Sequence, residues 1–338
     1  MKIGGLDLDQ KVFVIAEIGN NHEGDFALAE ELITRAAESG ADAVKFQTII
    51  PELFVSRAET ARLERLKKFQ FSFEQFASLA ETARKAGVVF FSTPFDLESA
   101  RFLNTIQPIF KIASGDNNFY PLLEEVASFG KPMIVSTGLA DLAQVRRTHD
   151  RIAAVWARNK TSPGLALLHC IASYPAPPDQ ANLGSIAALK AAFPGATIGY
   201  SDHVMGIQAS VTAVAAGARI VEKHFTLDKN YSDFRDHQLS ADLTEMRALV
   251  DAIRETSAML GDGEKTPQAC EADLAVAARR SIAAARDLAG GTIIVSEDLI
   301  WVRPGSGYAP GEETRLLGKK LARPVLKGEI FAASHVEN

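Results

Sequence analysis

GYSDHVMGIQASVTAVAAGARIVEKHFT, residues Gly199–Thr226, holds two short apolar runs of β character, each closed by a histidine. His203 ends IGYSDH and His224 ends IVEKH, just before Phe225. Between them Ile207–Ala216 has helical spacing, with Gly217 as its stop. Strand, helix and strand at this length form a βαβ unit, so the two strands run parallel and adjacent. Both histidines then stand at the carboxyl ends of neighbouring strands, where parallel α/β folds carry their chemistry. Two neutral imidazoles side by side there can share a divalent metal; the alternative is a hydrogen-bonded structural pair.

Outward from this unit, β-type runs recur at Val12–Gly19, Ala43–Thr48, Val88–Pro94, Ile109–Gly115, Pro132–Gly138 and Leu165–Cys170, before Thr197–His203 and Arg219–Thr226. Most are continuously apolar, as strands covered on both faces are. Helical stripes separate them at Phe26–Ser39, Phe73–Ala86, Leu139–Arg158, Leu183–Phe193 and Leu243–Met259. Gly40, Gly87 and Gly130 fit the position just after a helix. Eight strands alternating with helices over residues 1–260 predict a (β/α)8 barrel. A doubly wound sheet is the competing architecture, but EIGNNHEGD after the first strand is not G-x-G-x-x-G. Two long loops, Ile49–Gln70 and Asp228–Ser240, fall on the catalytic face of such a barrel and predict a substrate pocket. Residues 261–278 read as a linker with a short helical piece, and 279–338 as a small, mostly β domain of short runs and Gly-rich turns.

The 338 residues are 47% apolar and 23% charged, with a net charge of −6 and no long basic run, so nothing points to nucleic acid or an anionic membrane surface as a partner and neither is expected. No run reaches transmembrane length, and MKIGGLDLDQ lacks the apolar core of a signal peptide, so a soluble cytoplasmic protein is expected. Two cysteines far apart, Cys170 and Cys270, make no disulfide framework, and Cys170 reads as a core residue.

Strand parity gathers the candidate chemistry. Lys45 and Gln47 share a face; Lys111 precedes Ser114, Gly115 and Asp116; Thr93 ends strand three and Glu17 lies near the end of strand one. Ser201 shares a face with His203, and Glu222 with His224. A buried unpaired lysine costs several kcal/mol. Its partner is either an anionic ligand, such as a phosphate or carboxylate helped by Thr93, Ser114 and Ser201, or an internal carboxylate such as Glu17 or Glu222. A metal beside an anion site suits polarisation of a carbonyl while a phosphorylated co-substrate is held. No G-x-S-x-G, Walker A, H-E-x-x-H or C-x-x-C pattern occurs. His22, His149, His169 and His335 read as structural or solvated, the second and fourth on surfaces, while His237 beside Asp236 is left open.

In order, FVIAEIGNNHEGD, ADAVKFQT, STPFD, FKIASGD, IVSTG, LHCIASYPAPP, GYSDH and VEKHFT resemble the sialic acid synthases, which include the N-acetylneuraminate, legionaminic and pseudaminic acid synthases. RSIAAARDLAGG, WVRPGSG and LLGKKLARPVLKGE resemble the SAF (antifreeze-like) domain of that family. The resemblance implies a TIM barrel followed by an SAF domain. It implies condensation of phosphoenolpyruvate with an N-acetylated amino-sugar aldehyde to a nonulosonic acid, with release of phosphate by C–O cleavage. The cofactor implied is a divalent metal, Mn2+ foremost with Mg2+ or Co2+ as alternatives, held by His203 and His224. By motif, Lys45, Thr93, Lys111, Ser114 and Ser201 would hold phosphoenolpyruvate, and Glu17 would handle a water or proton. Gln47, Asp116, Tyr174 and Asp236 would contact the sugar. Arg303 would reach the partner subunit's barrel in a domain-swapped homodimer.

The chain departs from the family pattern at three places. Ala172 stands where Asn or Ser is usual, Asp116 where Glu is common, and DKNYSDFRDHQLS replaces the usual GPDH-type loop. Two rival readings remain. A 3-deoxy-octulosonate phosphate type of synthase would lack the SAF domain and would need a further basic cluster for a phosphorylated sugar, and none is visible in the sequence. A non-catalytic sugar-binding protein on the same scaffold draws support only from Ala172 and the unusual loop.

Overall fold

The computed structural model describes residues 1–337 and comprises two compact units that meet in sequence at Gly261 and Asp262. In the first, eight parallel strands form the sheet: β1 (Phe13–Gly19), β2 (Ala43–Thr48), β3 (Val89–Pro94), β4 (Phe110–Ile112), β5 (Met133–Ser136), β6 (Leu165–Cys170), β7 (Thr197–Asp202) and β8 (Ile220–His224). Their order is β3-β2-β1-β8-β7-β6-β5-β4, each following its predecessor in sequence around the ring, with β8 hydrogen-bonded to β1 and β3 alongside β4. This is the expected (β/α)8 barrel. The βαβ unit reads as anticipated: helix Gln208–Ala215 joins β7 to β8, and Glu222 lies opposite Ser201.

Strand period sorts side chains between two cores. Outward residues such as Val14, Val44, Phe46 and Val221 pack against the helices. Inward residues Phe13, Ile15, Ala43, Phe91, Ile109, Ile134, Ala166, Leu168 and Ile220 fill the amino-terminal half of the barrel, together with Ile3 and Leu8 of the N-terminal hairpin (Lys2–Ile3 paired with Leu6–Asp7). Gly199 also faces this filling: a Cβ there would lie 2.5 Å from a Leu168 methyl and 2.6 Å from the Ile220 carbonyl, so no other residue fits without movement. With the lower half apolar and closed, the next inward positions, two residues on along each strand, are the polar ones at the carboxyl end.

Helix ends follow local rules. Asp25, Ser72, Asp96, Asp141 and Asp242 cap helix N-termini with their side chains. Gly87 closes Phe73–Ala86 in the left-handed conformation. The stripe predicted from Leu139 begins instead at Leu142, because Asp141 accepts from Gln144 N and fixes the start there. Strand four stops at Ile112 rather than Gly115: Ser114–Asp116 forms a 3-10 turn, pinned by Gly138 N donating to Ser114 Oγ at 3.1 Å. Both long loops contain helices, Pro51–Phe54 and Thr60–Phe69 in the first, Arg235–Leu239 in the second. Among the described residues no helix is long and apolar enough to cross a membrane.

The second unit opens with helix Ala272–Ala278 and pairs β9 (Ser281–Ala284) antiparallel with β10 (Leu299–Val302). Its core comprises Ile282, Ala284, Leu288, Ile294, Leu299, Leu316, Leu321, Val325 and Phe331. His335, expected on a surface, is buried against this core: Ala332 N donates to its Nδ1 at 3.2 Å, and Arg323 lies beside Nε2.

Candidate active site

At the carboxyl end of the barrel the inward layer above the apolar filling is charged. Glu17, Lys45, Lys111, Ser201 and Glu222, from β1, β2, β4, β7 and β8, are all buried and all line one cavity. Lys45 Nζ lies 2.9 Å from Glu17 Oε2 and 3.6 Å from Glu222 Oε2, and donates to Thr93 Oγ1 at 3.3 Å. Lys111 Nζ lies 3.5 Å from Glu222 Oε1, which accepts from Ser201 Oγ at 2.8 Å. Of the two alternatives for the lysines, internal pairing is therefore what the structure contains. Two ammoniums and two carboxylates offset one another in a place too dry for any of them alone.

The two glutamates are not equivalent. Glu222 faces both lysines and a hydroxyl, and they outweigh its burial, so its pKa falls from 4.5 to about 2. Glu17 is pushed up to about 7: burial is the largest cause, Glu222 adds repulsion, and Lys45 opposes both without prevailing. Glu17 therefore stands near half-protonation at neutral pH, the condition of a group that gives or takes a proton. A relay reaches it from the loop after β1, with Asn20 Nδ2 donating to Gln47 Oε1 at 2.9 Å and Gln47 Nε2 donating to Glu17 Oε1 at 3.3 Å.

His203 and His224 meet above this layer, ring centroids 5.4 Å apart. Burial lowers the pKa of both, that of His224 well below the ordinary value, so both imidazoles are neutral. His203 Nδ1 lies 2.7 Å from the Ile171 carbonyl and must donate to it, which leaves Nε2 with a free lone pair. His224 Nδ1 is buried without a hydrogen-bond partner. Two neutral rings so presented fit a divalent metal. Among the described residues no third His, Cys, Asp or Glu completes a ligand trio, so such an ion would draw its other donors from substrate and water. The Tyr174 ring packs 4.0 Å from His203 and 6.0 Å from His224.

Of the residues expected to form the site, Glu17, Lys45, Gln47, Thr93, Lys111, Ser114, Tyr174, Ser201, His203, His224 and Asp236 line one cavity. Asp116 does not: the 3-10 turn takes it aside, half-buried, and burial raises its pKa to about 6. Arg303 belongs to the second unit and is exposed just after β10. Ala172 lines the cavity, so a methyl group stands in the wall itself. The loop after β8 is tied down by His237, which is buried with Nδ1 2.7 Å from Thr226 Oγ1 and Nε2 3.0 Å from Glu23 Oε1. The sequence offered Glu222 only as a possible partner for a lysine, with no role at the site, whereas it is the hub of the charge layer. Sequence reasoning also missed Arg62, Arg65 and Arg235 at the mouth, because loops distant in the chain bring them together.

The model of the NeuB family matches residues 32–265, and that of the SAF domain matches residues 279–337. The chain belongs to the NeuB family. Within that family it is 40% identical to the N,N'-diacetyllegionaminic acid synthase of Legionella pneumophila, over 96% of this chain and 94% of that protein. It is 33% identical to the human N-acetylneuraminate-9-phosphate synthase, over 96% and 93%. The crystal structure of N-acetylneuraminic acid synthetase from Leptospira borgpetersenii, in complex with citrate, superposes with a TM-score of 0.75 at 35% identity, covering 81% of this chain and 94% of that one. Family membership and the superposition on that synthetase structure point the same way as the site geometry.

Proposed function

We propose that the protein condenses phosphoenolpyruvate with an N-acetylated amino-sugar aldehyde, N-acetylmannosamine or a 2,4-diacetamido-trideoxyhexose, to give a nonulosonic acid and phosphate. The observation that carries this reading is the dry layer of Lys45, Lys111, Glu17 and Glu222 beneath two neutral histidines, in a chain of the NeuB family. Phosphoenolpyruvate is the most anionic of the reactants, and the lysines are the buried cations of the cavity. Thr93, Ser114 and Ser201 surround them with hydroxyls for its phosphate and carboxylate oxygens.

In the proposed reaction the C2=C3 π pair of phosphoenolpyruvate forms the new bond to the aldehyde carbon, and the aldehyde oxygen takes up a proton. Water adds at C2, and phosphate leaves with the C2–O bonding pair, giving the 2-keto acid. Glu17, poised near pH 7, is placed to deliver the first proton or to take one from the water. The metal expected on His203 and His224 would polarise the aldehyde carbonyl. Gln47, Tyr174 and Asp236 lie on the rim side and orient the sugar. Arg303, by its match to the family's SAF arginine, is assigned to the partner subunit's site in a homodimer.

The test is phosphate release from phosphoenolpyruvate with Mn2+ across a panel of amino-sugar aldehydes, each with an EDTA control. Sugar-dependent, chelator-sensitive release is expected. Release that ignores the sugar, or silence across the panel with metal bound, contradicts the reading.

A further inference from the structure

Asp202 ends β7, and Lys223 is the residue opposite it in β8. Strand alternation turns both away from the cavity that His203 and His224 line, so each stands directly before a histidine in the chain and on the other face of the sheet. Both side chains are fully buried. Asp202 Oδ1 accepts from Val204 N at 2.8 Å and from the Tyr200 hydroxyl at 3.2 Å. Its Oδ2 accepts from Ser210 Oγ at 2.6 Å, on the helix that joins the two strands, and from Lys223 Nζ at 3.3 Å. Lys223 Nζ also donates to the Val204 carbonyl. The backbone on both sides of His203 is therefore tied to the residue that precedes His224.

Burial lowers the Lys223 pKa from its ordinary value, and Asp202 is the chief group that opposes this. A buried ion pair of this kind adds little to stability, since desolvation offsets most of the attraction and an apolar pair of similar size often serves as well. What an apolar pair cannot do is fix direction: a carboxylate and an ammonium satisfied in this way leave the ends of β7 and β8 a single relative placement. We propose that Asp202 and Lys223 are positioning residues that hold the His203 and His224 imidazoles at the separation needed to share a divalent metal. This goes beyond the reaction assigned above and rests on the metal expected in that reading. The His203 ring is steered by the Ile171 carbonyl, but among the described residues His224 Nδ1 has no hydrogen-bond partner. Ligating histidines are usually oriented through the second ring nitrogen. His224 lacks that support at Nδ1, so the placement of its ring 5.4 Å from that of His203 comes from the backbone that carries it, which the ion pair behind it holds.

The test is Mn2+ binding by the full chain without substrates, followed by loss of the free-ion electron paramagnetic resonance signal. H203A identifies the site, and urea titration follows the fold. D202N/K223M removes both charges together at nearly constant volume. Its urea midpoint should stay close to wild type while its Kd for Mn2+ rises at least about 10-fold, the lower end of what loss of a metal ligand's supporting partners does. R254M, which breaks a pair with Asp42 at the amino end of the barrel, should lower the midpoint and leave the Kd unchanged. S210A takes one hydrogen bond from Asp202 and no charge; it should raise the Kd at least about 2-fold with the fold intact, and it carries the test if the double variant does not fold. A wild-type Kd in D202N/K223M or, failing that, in S210A overturns the proposal alone. So does a rise in R254M as large as in D202N/K223M, which would report general loosening of the barrel. Wild type that binds no Mn2+, or H203A that binds it as tightly, refutes the metal reading and the proposal with it.

Discussion

Glu17 and Glu222 both contact Lys45, yet their neutralisation should move stability in opposite directions. A carboxylate whose pKa drops on folding stabilises the fold above its unfolded value, and that contribution is lost as pH falls through the folded value; a raised pKa does the reverse. For Glu222 the fall from 4.5 to about 2 corresponds to about 3 kcal/mol at neutral pH. Coulomb's law gives a compatible scale, since ammoniums at 3.5 and 3.6 Å each attract it by about 5 kcal/mol at an effective dielectric of ~20, before its desolvation is subtracted. E222Q should therefore lose about 3 kcal/mol at pH 7, within the range for breaking a buried pair, because Lys111 keeps no carboxylate within ion-pair distance. Glu17, raised to about 7, favours the fold while protonated, below about pH 4.5, and that advantage is lost as pH rises through 7. E17Q should match wild type near pH 4.5 and exceed it by about 1–3 kcal/mol at pH 8.5. Urea titrations of both variants at several pH values, with EDTA present and helical dichroism as signal, measure this directly. An E222Q protein within 0.5 kcal/mol of wild type at pH 7, or an E17Q protein that loses stability as pH rises, would refute the charge assignment.

Three further outcomes follow from the geometry. H203A and H224A should keep the barrel by circular dichroism while metal-dependent turnover falls at least about 100-fold, at or beyond the upper end of losses seen for residues that merely support metal ligands; full activity in either removes the metal site. Mixing inactive R303A with inactive H203A subunits should restore part of the activity if sites are shared between subunits, and no rescue after verified exchange argues against the shared site. For Asp116, burial raises the pKa to about 6, so the wild-type fold is favoured below about pH 4 and loses that contribution as pH rises through 6. D116N should accordingly gain in relative Tm between pH 4 and 7, and a pH-independent difference would contradict the burial argument.

Much of the site was legible because a strand repeats every two residues. Lys45 with Gln47, Ser201 with His203 and Glu222 with His224 could be placed on shared faces by counting, and two histidines at matched strand ends marked the chemical end of the barrel. Counting failed where backbone regularity ended. Asp116 seemed to follow a strand running to Gly115, but the 3-10 turn at Ser114 took it out of the cavity. The pairing of Lys45 and Lys111 with Glu17 and Glu222 was one of two alternatives until ring closure fixed the distances. The N-terminal hairpin, at two residues a strand, is too short for any periodicity, yet its Ile3 helps seal the barrel floor. The arginines at the mouth were invisible as a group because they come from loops at opposite ends of the barrel sequence, and only the fold makes them neighbours.

The central claim is carbon–carbon bond formation with cleavage of the C2–O bond of phosphoenolpyruvate. Phosphoenolpyruvate labelled with 18O at the bridging oxygen, incubated with enzyme, Mn2+ and the preferred acceptor, reports both events by mass spectrometry. The account predicts a 2-keto acid three carbons longer than the acceptor and free of label, with one 18O in the released phosphate. Label retained in pyruvate, with no extended sugar acid, would contradict it.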